Sequence, residues 1–153
     1  MINLSQQEFQ TLEITREIEI AATIDIVFET VLEQLGPLNV TPDQGPMPLK
    51  LEPWPGGRWF RDLGNNAGHL WGHVQSIRPN DLLEIHGPMF MSAPAVSHVL
   101  FRLKEESGVT RINFSHRAMG QFPPEYRDGG DIEPGWTKWF KHLREEVERR
   151  AKQ

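Results

Sequence analysis

The C-terminal segment most narrows what this chain can fold into. From Pro134 onward Trp136, Trp139, Phe140, Leu143 and Val147 recur at 3.6-residue spacing, which predicts one apolar stripe on a helix running to the end of the chain. Pro134 suits the start of such a helix, where its missing N–H costs nothing and its φ is already helical. A stripe with two indoles and a phenyl ring needs a second apolar layer to cover it, because tertiary packing rather than propensity stabilises short helices. What precedes it reads mostly as strands, so that layer is a sheet.

Residues 12–20, L-E-I-T-R-E-I-E-I, set Leu12, Ile14, Ile18 and Ile20 on one face and Glu13, Thr15, Glu17 and Glu19 on the other, the pattern of a half-buried strand. Arg16 interrupts the inner face, either as an edge residue that snorkels or as a pocket cation. Thr23 then reads as an N-cap, and Ile24, Phe28, Val31, Leu32 and Leu35 keep helical spacing until Gly36-Pro37 ends the run. Prolines and glycines break residues 38–48 into a loop.

Three hairpins follow. A turn centred on Pro55-Gly56 sets Leu51 opposite Phe60 and Leu49 opposite Asp62, which carries Asp62 onto the apolar face. A two-residue turn at Asn80-Asp81 puts Leu70, Val74, Ser76, Leu83 and Ile85 on one face, with Trp71, His73, Gln75, Glu84 and His86 on the other, wetter one. In the third, around residues 105–108, Val99, Phe101 and Leu103 meet Ile112 and Phe114, His98, Arg102, Arg111 and Asn113 face away, and alternation assigns His116 to the apolar face. Residues 118–134 are too polar and broken for a core element and read as a long loop before the last helix, the length at which loops are often lids or disordered connections.

Strand, helix, three hairpins and a long helix make an α+β fold with an antiparallel sheet. At 153 residues the chain is one domain, 1–153, with its core over 12–150. A domain of this size holds a core without staples, and the absence of cysteine excludes thiol catalysis, Cys-based zinc sites and disulfides. Twenty-one acidic against 16 basic residues, net −5, argue against nucleic acid or an anionic membrane as partner. With no leader-like segment and no apolar run of spanning length, the expectation is a cytoplasmic protein that does not insert into membranes. The N-x-[ST] matches at Asn3, Asn39 and Asn113 are then chance.

Four features in this order resemble one family: the opening Ile18-Glu19-Ile20 through Phe28, W-P-G-G-R-W-F at 54–60, W-G-H-V and then I-x-P over 71–79, and Gly135-Trp136 opening the last helix. Over residues 12–150 the chain is similar to the helix-grip (Bet v 1-like, START-like or SRPBCC) superfamily, in the branch of the activator of Hsp90 ATPase. The resemblance implies a curved antiparallel sheet of about seven strands around a long C-terminal helix, with a helix after the first strand. It also implies a deep apolar cavity, used across the superfamily for lipids, sterols, polyketides and plant hormones. Some members catalyse cyclisation or dehydration there, but this branch shares no catalytic residue set.

The residues add candidates of their own. His69 and His73 would pair as metal ligands on a helix, but on a strand they stand about 13 Å apart, and no metal site is expected. Asp62 and His116, placed on the apolar side, are candidate polar anchors or an acid–base pair, or else they are satisfied locally or returned to water by a bulge. Phe60, Ile85, Phe101, Phe114, Trp136 and Phe140 are candidate cavity walls, though Trp136, Trp139 and Phe140 read first as core. Met89-Phe90-Met91 would sit near the mouth. No nucleotide-binding, serine-hydrolase or zinc-protease motif occurs. The leading reading is a cofactor-independent binder of a small hydrophobic or aromatic ligand. The alternatives are a cyclase or dehydratase in the same cavity and a co-chaperone with a protein partner; a homodimer is compatible with the sequence but not demanded by it.

Overall fold

The computed structural model describes residues 9–41, 45–123, 125–126 and 130–153. Strand β1 (Gln10–Ile20) leads into helix α1 (Ile24–Leu35). The short ladder of β2 (Val40–Thr41) and β3 (Gly45–Pro46) follows, then β4 (Lys50–Leu51), β5 (Arg58–Gly64), β6 (Ala67–Arg78), β7 (Leu82–Gly87), β8 (Ala95–Glu106) and β9 (Val109–Gly120), and finally helix α2 (Ile132–Ala151). Apart from the β2–β3 ladder, the strands form one seven-stranded sheet in the order β1-β9-β8-β7-β6-β5-β4. Every neighbouring pair is antiparallel. The expected α+β architecture is therefore present.

The stripe of α2 packs on the sheet as its spacing predicts. Trp136, Trp139, Phe140, Leu143 and Val147 are all buried. Phe101 sits beneath them, its ring centroid 5.1 Å from Phe114, 5.6 Å from Trp139 and 6.4 Å from Phe140. Arg150, in the last turn, pairs with Glu146 one turn back and reaches across to Glu33 and the Thr30 hydroxyl of α1. At the other end Arg16 bonds Glu133 at 2.9 Å, so the cation on the inner face of β1 ties that strand to the first turn of α2. The helix starts two residues before Pro134, and β9 runs on to Gly120, so the connection between them is shorter than its composition suggests.

Helix α1 begins and ends where expected, but its cap is not local. The Thr23 hydroxyl makes no capping bond. Instead Glu105, at the end of β8, accepts the Ile24 N–H at 2.7 Å. One of the unpaired donors of the helix start is thus satisfied from 81 residues away, with an anion at the positive end of the helix dipole.

The β8–β9 hairpin keeps the expected register, Val99 opposite His116, Phe101 opposite Phe114 and Leu103 opposite Ile112. It closes through Ser107 and Gly108, both at positive φ, as a two-residue hairpin turn of matching twist requires. The other two hairpins depart from expectation. Between β4 and β5 the partners are Lys50 with Phe60 and Leu51 with Trp59, one residue off the Leu51–Phe60 alignment. Between β6 and β7 the pairing closes at Arg78 with Leu82, so Pro79, Asn80 and Asp81 form a three-residue turn, and a bulge lies between Val74 and Ser76. A one-residue slip turns side chains to the opposite face, and Trp71 is buried while Leu70 is 44% exposed, the reverse of the predicted assignment. Val74, Leu83 and Ile85 are nevertheless buried as predicted, because the Val74/Ser76 bulge offsets the longer turn.

Candidate functional site

The reversal at β5 and β6 creates a concavity on the inner side of the sheet. Glu52 takes the Arg58 N–H at 2.8 Å and its guanidinium at 2.9 Å, which shapes a wide connection in place of a tight Pro55-Gly56 turn. Those bonds from Arg58 hold the Glu52 carboxyl down to about 2. The strand that leaves this connection sets Trp59, Arg61 and Leu63 along the cleft side of the sheet, Trp59 buried and Arg61 and Leu63 exposed. On β6, the step from Gly72 opposite Trp59 to Leu70 opposite Phe60 makes Trp71 the extra residue of a bulge. Trp71 thereby joins the inner face, its ring edge-on to Trp59 at 5.1 Å.

These residues form one wall of a cleft of about 490 Å³. Arg61 and His69, cross-strand partners, lie further along the same wall. The N-terminal turns of α2 supply the other wall through Asp131, Ile132, Gly135, Trp136 and Trp139, with Tyr126 beside them. Leu35, Asn39, Val40, Thr41 and Met47 border it from the end of α1 and the β2–β3 ladder, and Met89 and Phe90 from the β7–β8 connection. Four of the five tryptophans of the chain therefore line one space.

Three of the four indole N–H groups are committed to the protein. Trp59 donates to the Leu35 carbonyl at 2.8 Å and Trp139 to the Gln34 carbonyl at 3.2 Å. Both cap carbonyls that the last turn of α1 leaves without a helical donor, and so they fix the two walls to the same helix end. Trp136 donates to His116 Nδ1 at 3.0 Å. The fourth, Trp71 Nε1, is buried without a hydrogen-bond partner. A buried donor in that state costs roughly 1–3 kcal/mol, an amount that an arriving acceptor can recover.

His116 lies in the core, not in the cleft. It is 0% exposed, held between Trp136 and the Ser97 hydroxyl, which is 2.9 Å from Nε2. An indole can only donate, so Nδ1 accepts and Nε2 carries the proton that Ser97 receives. Burial lowers the imidazole to about 4, so it is neutral at pH 7. Asp62 is on the outer face of the sheet, bonded to Lys50 Nζ at 2.9 Å and to the Gly64 N–H. The Lys50 bond is the main reason its carboxyl is lowered. The two candidates for an acid–base pair thus lie on opposite sides of the sheet, and the placement of Asp62 on the apolar face is corrected.

Phe60 shares the outer face, under the Arg58 guanidinium at 4.6 Å from its centroid. Ile85, Phe101, Phe114 and Phe140 are buried in the core and do not line this cleft. Trp136 alone among the candidate cavity residues lines the cleft. Met89 and Phe90 border it as expected, while Met91 is buried at 2% exposure. Sequence reasoning missed Trp59, Arg61, His69 and Trp71. A signal for the first two was present in the alternation of Trp59, Arg61 and Leu63, had the larger indole rather than Phe60 been assigned to the interior. Among the described residues no three His, Asp or Glu side chains are grouped to hold a metal ion.

The family model for the activator of Hsp90 ATPase homolog 1-like protein matches residues 42–148, which include both walls of the cleft. The chain belongs to that family. No curated protein is significantly similar to this member of it. Solved structures place the family fold firmly. A protein of Rhizobium leguminosarum is 20% identical with a TM-score of 0.65, over 93% of this chain and 99% of its own. CalU16 of Micromonospora echinospora is 18% identical with a TM-score of 0.60, over 91% of this chain and 83% of its own. Ara h 8.0201 is 14% identical with a TM-score of 0.65, over 92% of this chain and 99% of its own. The family member described here has the Bet v 1-like helix-grip fold. No helix among its described residues is long and apolar enough to cross a membrane.

Proposed function

We propose that this protein binds a small hydrophobic or aromatic molecule in the cleft between β5–β6 and the start of α2. The observation that carries the reading is the cleft itself, about 490 Å³ lined by four indoles and two methionines. Small-molecule sites are typically ~300–1,000 Å³, mostly apolar, with a few polar groups that orient the ligand. The indoles are rigid and three are hydrogen-bonded in place, so the surface exists before the ligand arrives and little ordering is needed on binding. Membership in a helix-grip family supports the same reading, as does the likeness to Ara h 8.0201 and CalU16.

The cyclase or dehydratase reading loses its acid–base pair, because Asp62 and His116 do not meet in one cavity. The family name suggests a co-chaperone role, and a protein partner stays as the outcome favoured if the cleft proves empty of ligand function. The deciding experiment compares native and denatured masses of gently purified protein, followed by titration of apolar and aromatic compounds with tryptophan fluorescence as readout. A stoichiometric mass difference or saturable quenching supports binding in the cleft. A clean apo mass with no quenching by lipids or aromatic polyketides refutes it.

A further inference from the structure

The sheet wall of the cleft carries hydrogen-bond donors that the protein itself does not use. Arg61 lines the cleft, and the structure gives it no ion pair or hydrogen bond among the described residues. Its neighbour Arg58 is held by Glu52, and Lys50 by Asp62, so the other cations of this corner are already neutralised. Arg61 therefore stands apart from them, on the inner face rather than the outer. His69 is its cross-strand partner and lines the same space. Two residues along, Trp71 holds the one indole N–H of the cleft without an acceptor, beneath the edge-on ring of Phe90 at 5.8 Å. Opposite them the helical wall offers apolar surface from Ile132, Trp136 and Trp139, and the acidic residue that lines it, Asp131, is the N-cap of α2.

Resting on the reading of the cleft as a ligand site, we propose that the ligand is an aromatic or apolar acid whose anionic oxygen is received by Arg61 and His69. A carboxylate accepts bidentate bonds from a guanidinium, and such charge-assisted bonds are about twice as strong as neutral ones. The body of the ligand lies on Trp59, Trp136 and Trp139. The Trp71 N–H is a further donor to the same group when Phe90 moves aside. Arg61 is exposed at the cleft, so a neutral ligand of the same shape leaves its charge to solvent and forgoes the charge-assisted bond, and that difference is the discrimination.

The test uses the full chain at pH 8 and three probes of one shape: 2-naphthoic acid, 2-naphthamide and 2-naphthol. Each is titrated by calorimetry and by tryptophan quenching against wild type, Arg61→Gln and His69→Gln. Naphthoate is expected to bind wild type at least about tenfold more tightly than naphthamide, and Arg61→Gln to bring the two within about twofold, chiefly through weaker naphthoate binding. Naphthol, un-ionised at this pH, is expected to follow naphthamide; if it matches naphthoate, a hydroxyl donor rather than an anion is recognised and the proposal falls. Equal affinity for acid and amide, or a preference that survives Arg61→Gln, also overturns it while leaving the cleft a binding site. If no naphthyl probe binds wild type and the wider panel of apolar compounds also fails, the binding reading itself is overturned.

Discussion

The buried triad of Ser97, His116 and Trp136 makes the stability of this fold depend on pH in a window set by one residue. His116 is 0% exposed, and its imidazole is lowered from 6.5 to about 4, with desolvation as the cause. Because the folded value is depressed, the unfolded chain binds more protons than the native one between those two pH values. Stability is therefore fully present above pH 6.5 and is lost as pH falls toward 4. With those two values the loss is about 2 kcal/mol at pH 5 and about 3 kcal/mol at pH 4. The perturbation is His116→Gln, which retains a donor and an acceptor but does not titrate. Urea unfolding of both proteins, followed by tryptophan fluorescence from pH 8 to 4, gives the difference in stability at each pH. That difference is expected to be constant above pH 7 and to move in favour of the variant as pH falls. Glu52 and Glu146, held near 2 by Arg58 and Arg149, affect both proteins alike and cancel. A difference that stays within about 0.5 kcal/mol over the whole range would refute a neutral, desolvated His116.

Two further outcomes test the sheet corner that builds the cleft. Gly72→Ala would place a Cβ 2.6 Å from the His86 carbonyl oxygen, and is expected to cost about 1–3 kcal/mol by forcing β6 and β7 apart beside the Trp71 bulge; an unchanged urea midpoint counts against that close approach. Asp62→Asn is expected to leave both the thermal midpoint and probe binding unchanged, because its ion pair with Lys50 is solvated on the outer face; loss of probe binding would return Asp62 to the site.

The sequence by itself determined both helices, the seven strands of the main sheet, their order and most of the core, but not the short β2–β3 ladder, which lies where residues 38–48 read as a loop. Strand β1, both helices and the β8–β9 hairpin follow from patterns contained within a few residues: alternation, 3.6-residue spacing, and a Ser-Gly pair able to take positive φ. Even His116 could be assigned inward, because an uninterrupted ladder carries parity reliably from Phe114. What it left open was the end of the sheet where the cleft forms. There three register shifts and a wide connection change parity, and a bulge has no local signature in residues such as Trp71-Gly72 or Val74-Gln75. Only the tertiary structure decided that Trp59 turns inward, where its N–H meets the carbonyl of Leu35, and that Phe60 and Asp62 turn outward. The same holds for the cap of α1, supplied by Glu105 from the far hairpin. These choices depend on which distant backbone group is left without a partner, and a local pattern of residues carries no record of that.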